Sequence, residues 1–86
     1  MAQVRMYRTR SCPYCHRAER LLKKHGVKKI EIIDVGGDKK LWSVMEKETR
    51  RNTVPQIFIG AYHVGGFDDL AALDRKGKLT DLLSAD

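Results

Sequence analysis

No run of about eighteen apolar residues occurs in this 86-residue sequence, so a membrane-spanning helix is not expected. A charged, then apolar leader ending in small residues is missing too, which sets the expectation of a cytoplasmic protein with no membrane partner. Cysteine is scarce, with only two in the chain. Two thiols in a reducing compartment do not make a structural framework, and a bridge across two intervening residues closes too short a loop to stabilise much. Redox or metal chemistry remains for them. Repeats, low-complexity tracts and linkers are also absent, so residues 1–86 are expected to form one domain around a single core. Aromatic residues make up 7%, and no aromatic platform or recognition motif accompanies the basic residues, so a nucleic-acid partner is not expected.

The charge that is present is uneven. Residues 1–29 carry nine Lys or Arg against Glu19 alone, giving +8, while residues 30–86 carry eight against ten acids, giving −2. The positive half surrounds the only two cysteines, which stand in Cys12-Pro13-Tyr14-Cys15. Upstream, Val4 and Met6 alternate with Arg5 and Tyr7 over residues 3–8, the pattern of a half-buried strand; downstream, Cys15, Ala18, Leu21, Leu22 and His25 recur at helical spacing. Proline suits the first position of a helix, so Pro13 reads as N1, Cys12 as the N-cap and Cys15 as N3. In that register the Cys12 sulfur faces the unpaired N–H groups of the first turn, which favour its thiolate. Arg8 and Arg10 nearby add to the field, whereas Arg17, Arg20, Lys23 and Lys24 fit a solvated helix face equally well.

The helix stops at Gly26, and residues 28–35 read as a second strand. Asp38 then caps a helix over residues 39–50, its core face expected from Leu41, Val44 and Met45 with Trp42 at the border. Two short strands follow over 56–59 and 62–64, joined at Gly60-Ala61 in a tight hairpin, with His63 expected at the surface. A helix starts near Phe67 with Asp68 and Asp69 in its first turn and Leu70 and Leu73 buried. Leu79, Leu82 and Leu83 suggest a last short helix. The order is βαβαββα plus a C-terminal turn of helix.

Three segments carry a resemblance across nearly the whole chain: Cys12-Pro13-Tyr14-Cys15 with His16-Arg17-Ala18, then Thr53-Val54-Pro55-Gln56-Ile57-Phe58-Ile59, then Gly65-Gly66-Phe67-Asp68-Asp69-Leu70. With them the sequence resembles a glutaredoxin of the small bacterial dithiol type. That resemblance implies an α/β, thioredoxin-like fold with a four-stranded mixed sheet flanked by helices. It implies Cys12 as nucleophile and Cys15 as resolving thiol. It also implies a cis Pro55 facing the pair, so that the backbone N–H and C=O of Val54 pair with a cysteinyl segment such as glutathione, with Thr53 also among the glutathione-binding residues. Gly66, Phe67 and Asp68 resemble the site for the γ-glutamyl end, with helix N–H groups for its carboxylate and the Asp68 carboxylate for its ammonium. Tyr14 would pack beside the bound tripeptide.

Two positions depart from the family pattern. Thr9 stands where many relatives have a lysine, so thiolate stabilisation and capture of the glycyl carboxylate fall to an arginine, Arg8 or Arg10. Arg10, in the loop after the strand, is the freer to reach. Phe67 stands where many relatives carry a third cysteine.

The expected activity is that of a glutathione-dependent thiol–disulfide oxidoreductase, reducing protein–glutathione mixed disulfides and protein disulfides through Cys12 and Cys15. Its partners would be glutathione, as reductant, and glutathionylated or disulfide-containing proteins, with the chain a monomer and no metal bound. A zinc site needs four converging ligands, which His16 and His25 beside the cysteines do not supply. Two other readings are an iron–sulfur cluster carrier using Cys12 and glutathione, disfavoured by Pro13, and a thioredoxin-like reductase not using glutathione, disfavoured by Gly66-Phe67-Asp68.

Overall fold

Alternation in the first strand puts Val4 and Met6 on one face of a sheet and Arg5 and Tyr7 on the other, and the computed structural model, which describes residues 1–85, covers both faces. The elements are β1 (Val4–Arg8), α1 (Pro13–Lys24), β2 (Ile30–Asp34), α2 (Lys39–Thr49), β3 (Gln56–Ile59), β4 (Tyr62–Gly65), α3 (Phe67–Arg75) and α4 (Lys78–Ser84). Residue 86, the last of the expected domain, lies outside the described residues.

The sheet runs in the order β2-β1-β3-β4. β1 and β2 are parallel, as a strand–helix–strand crossover through α1 requires, while β1–β3 and β3–β4 are antiparallel. A four-stranded mixed sheet flanked by helices is therefore what forms. On one face Val4, Met6, Ile57, Ile59 and Val64 meet Ala18 and Leu22 of α1, Leu70 of α3, and Leu79 and Leu83 of α4. On the other, Tyr7, Phe58 and Val35 meet Met45 of α2.

That second cluster corrects the half-buried reading of β1, because Tyr7 is buried as fully as Val4. Its phenol finds a polar partner at the rim, donating to Glu48 of α2, which Arg5 also pairs. The α2 face is corrected as well. Val44 is exposed, and the stripe that packs is Leu41, Trp42, Met45 and Thr49, spaced by three and four residues along one side of the helix.

Local signals account for the ends. Pro13 stands at the first position of α1 and Cys12 caps it. The Asp38 carboxylate accepts the Leu41 N–H and caps α2. Among the described residues no helix is long and apolar enough to cross a membrane.

Candidate active site

The extended backbone of Cys12 (φ −98°, ψ 106°) turns its side chain back over the first turn of α1, where Sγ accepts the Cys15 N–H at 3.1 Å. One helical turn brings the two cysteines to a Cα–Cα distance of 5.2 Å, and they are joined as a disulfide. The two sulfurs are unequal. Cys15 is fully buried in the α1 core, while Cys12 keeps 8% of its surface open. Cys12 is still far less exposed than a free nucleophile at a helix tip, because the loop before β3 lies over it, with the Val54 carbonyl oxygen 3.9 Å from its sulfur.

That loop is Thr53-Val54-Pro55, and the Val54–Pro55 peptide bond is cis. Opposite stands the N-terminus of α3, capped by Gly66. Between them runs a groove of about 220 Å³, lined by Thr53, Val54, Pro55, Gly66, Phe67 and Asp68, with Tyr14 closing it from α1. Tyr14 is 54% exposed, and its ring centroid stands 6.1 Å from that of Phe67, so the two rings form one apolar wall. The Arg17 guanidinium lies 5.5 Å from the Tyr14 ring centroid.

The same groove contains two charged residues beyond those expected, Arg51 and Asp69. The Asp69 carboxylate accepts the Gly66 N–H at 2.9 Å and the Arg51 guanidinium at 2.9 Å. The Gly66 bond first, and Arg51 second, hold its carboxyl below the usual carboxylate range. Gly65 makes this possible: its φ of +111° belongs to glycine, and a Cβ there would press on the Asp69 carboxylate and lie 2.9 Å from Arg51 Nη1. Asp68, next along, is exposed and pairs with no other described residue. Its carboxylate is left to the groove, beside α3 N–H groups that have no acceptor within the helix.

Arg10 is not brought to the groove. Its side chain is 92% exposed and turned to Asp34 at the end of β2, 3.6 Å away. Arg8 is committed to Glu19 of α1. Both arginines find acids outside the groove, so the basic side chain lining it is Arg51, from the segment after α2. The histidines do not converge either. His16 donates to the Arg10 carbonyl at 2.9 Å, and His25 ties α1 to Asp74 of α3 at 2.7 Å. His63 is partly buried rather than at the surface, stacked on Phe58. No group of three or more metal-ligating side chains forms among the described residues.

Asp69 was legible as a helix-first-turn acid but not as a cap, although an acid three residues after Gly66 is the spacing that reaches back to an N-cap N–H. Arg51 carried no local signal, since its partner lies 18 residues away.

Comparison with known proteins agrees with this geometry. The glutaredoxin family model matches residues 4–64. Glutaredoxin 3 of Escherichia coli K12 is 49% identical over 83 residues, 96% of this chain and 99% of that one. A glutaredoxin of Pseudomonas aeruginosa is 49% identical over 85 residues, covering 99% and 100%. The solution structure of glutaredoxin from Brucella melitensis superposes with a TM-score of 0.83 at 47% identity, covering 96% of this chain and 89% of that chain. A buckwheat glutaredoxin–glutathione complex superposes with a TM-score of 0.86 at 27% identity, covering 96% and 77%.

Proposed function

The chain belongs to the glutaredoxin family, with Cys12 and Cys15 as a thiol–disulfide redox pair, and from that premise we propose that it uses glutathione as its reductant. The observation that carries this reading is the Asp68 carboxylate, unpaired among the described residues, beside the open N–H groups of α3, in the groove walled by the Thr53-Val54-Pro55 loop that lies over Cys12. An amino acid's ammonium and carboxylate would find opposite partners there. The Val54 backbone would pair with the cysteinyl residue, and Tyr14 and Phe67 would flank the tripeptide. The complex formed by the buckwheat relative is consistent with such a site.

In the proposed reaction, the Cys12 thiolate attacks the glutathionyl sulfur of a protein–glutathione disulfide. That S–S bond breaks, the protein leaves as a thiolate and takes a proton from water, and glutathione stays on Cys12. A second glutathione thiolate attacks the bound glutathionyl sulfur, which returns the Cys12 thiolate and releases glutathione disulfide. The helix N-terminus and the Cys15 N–H favour the anion at each departure. For a protein disulfide, Cys15 loses its proton and attacks the Cys12 sulfur of the mixed disulfide, expelling the client thiolate and forming the Cys12–Cys15 bond. Two glutathiones then reduce it. Residues 1–86 would act as one monomeric domain in the cytoplasm, on glutathionylated and disulfide-containing proteins.

The test is the intact mass of Cys15→Ser protein after oxidised glutathione. One glutathione per chain is expected, removable by reduced glutathione, with none on Cys12→Ser. No adduct on Cys15→Ser would overturn the proposal.

A further inference from the structure

Gln56 is the largest polar side chain with no exposed surface, and the chemistry above gives it no task. It opens β3 just after Pro55 and turns back on the loop. Its Nε2 donates to the Thr53 carbonyl at 3.0 Å and lies 3.3 Å from Thr53 Oγ1. With both amide protons spent on Thr53, Oε1 faces the other way, where His63 Nε2 stands at 2.8 Å. An amide oxygen only accepts, so His63 must carry a proton on Nε2.

His63 is itself fixed. Its ring stacks on Phe58, centroids 4.8 Å apart, its cross-strand neighbour, and the Arg5 guanidinium lies 4.0 Å from the Phe58 centroid. Arg5, Phe58 and His63 thus form a row across β1, β3 and β4. Burial first, then the charge of Arg51, hold the His63 ring below its ordinary pKa. The neutral Nε2–H ring and the imidazolium both donate, so the bond to Gln56 survives either state.

We propose that the Gln56–His63 pair is a positioning device for the Thr53-Val54-Pro55 loop: the sheet holds His63, His63 orients the Gln56 amide, and the amide sets the direction in which the Val54 backbone meets a peptide bound at Cys12. This rests on the proposed use of glutathione. A buried amide satisfied only by the loop it steadies and by one oriented imidazole is costly to leave half-paired, which is why one lost partner is felt at the other end.

The variants are His63→Phe, which keeps the stack on Phe58 and removes the donor, and His63→Gln, whose amide donates from a similar reach. Two measurements are made on each reduced protein. The first is the rate of thiol exchange with glutathione disulfide, which has a peptide backbone, and with bis(2-hydroxyethyl) disulfide, which has none. His63→Phe is expected to slow the first by roughly three- to tenfold, the scale of one hydrogen bond, with the second changed less than about twofold and His63→Gln restoring the wild-type ratio. The second is ¹⁵N relaxation at Thr53 and Val54, expected to show lost order in His63→Phe and wild-type order in His63→Gln. Unchanged loop order in His63→Phe, or equal slowing toward both disulfides, overturns the positioning role. If wild-type protein does not prefer glutathione disulfide, the proposed use of glutathione fails instead. The relaxation result alone then decides the Gln56–His63 device.

Discussion

The amide N–H of Gly66 points at the Asp69 carboxylate 2.9 Å away, and this bond gives two adjacent acids different work. Asp69 turns back to close the start of α3 and hold Arg51. Asp68 stays open to the groove. Both are first-turn acids, and the helix dipole favours both equally. Only the contacts with the Gly66 N–H and with Arg51 tell them apart.

Asp69 should therefore matter for stability. Replacing it by Ala removes the partner of the Gly66 N–H and should cost about 1 kcal/mol, the usual worth of a helix cap. Because the folded carboxyl is held below its unfolded value of about 4, its contribution is present above that value and lost as pH falls through the lower folded one. Urea unfolding at neutral pH and at about pH 3 should show a gap between parent and Asp69→Ala that narrows in acid. A gap independent of pH would contradict the assignment.

Asp68 should matter for glutathione instead. Asp68→Asn should weaken glutathione use by ~1–2 kcal/mol, the scale of a charged hydrogen bond, with only a small change in the unfolding midpoint from the lost helix-dipole contact. Steady-state rates with glutathione and with a small disulfide lacking the amine separate the two. Equal loss toward both would make Asp68 a structural acid like its neighbour.

The groove's basic side chain is Arg51, and Arg10 is turned to Asp34. Arg51→Ala should raise the Michaelis constant for glutathione by roughly two- to fivefold, the range of an exposed ion pair, and reduce its salt sensitivity. Arg10→Ala should leave both near the parent values. The reverse order would mean that Arg10 swings to the site when substrate binds.

Where a property is local, the sequence states it. Cys12 as N-cap follows from Pro13, and the hairpin from Gly60-Ala61; the structure has both. Where a property depends on which faces are covered, local pattern misleads. The charged Arg5 made β1 look half-exposed, yet α2 buries Tyr7 beside it, and Val44 sits off the stripe that Leu41 and Met45 define. The cis Pro55 came from family resemblance alone. The Arg51–Asp69 and Gln56–His63 pairs join separate elements through the turn at Gly65 and the β3–β4 hairpin, and no spacing rule announces either.

The most direct test is a coupled assay in which reduced protein is regenerated either by glutathione with its reductase or by a flavoprotein thioredoxin reductase. Use of glutathione as the reductant predicts turnover of a glutathionylated protein with glutathione, abolished in Cys12→Ser and retained in Cys15→Ser, and little with the flavoprotein alone. Turnover with the flavoprotein and none with glutathione would contradict it.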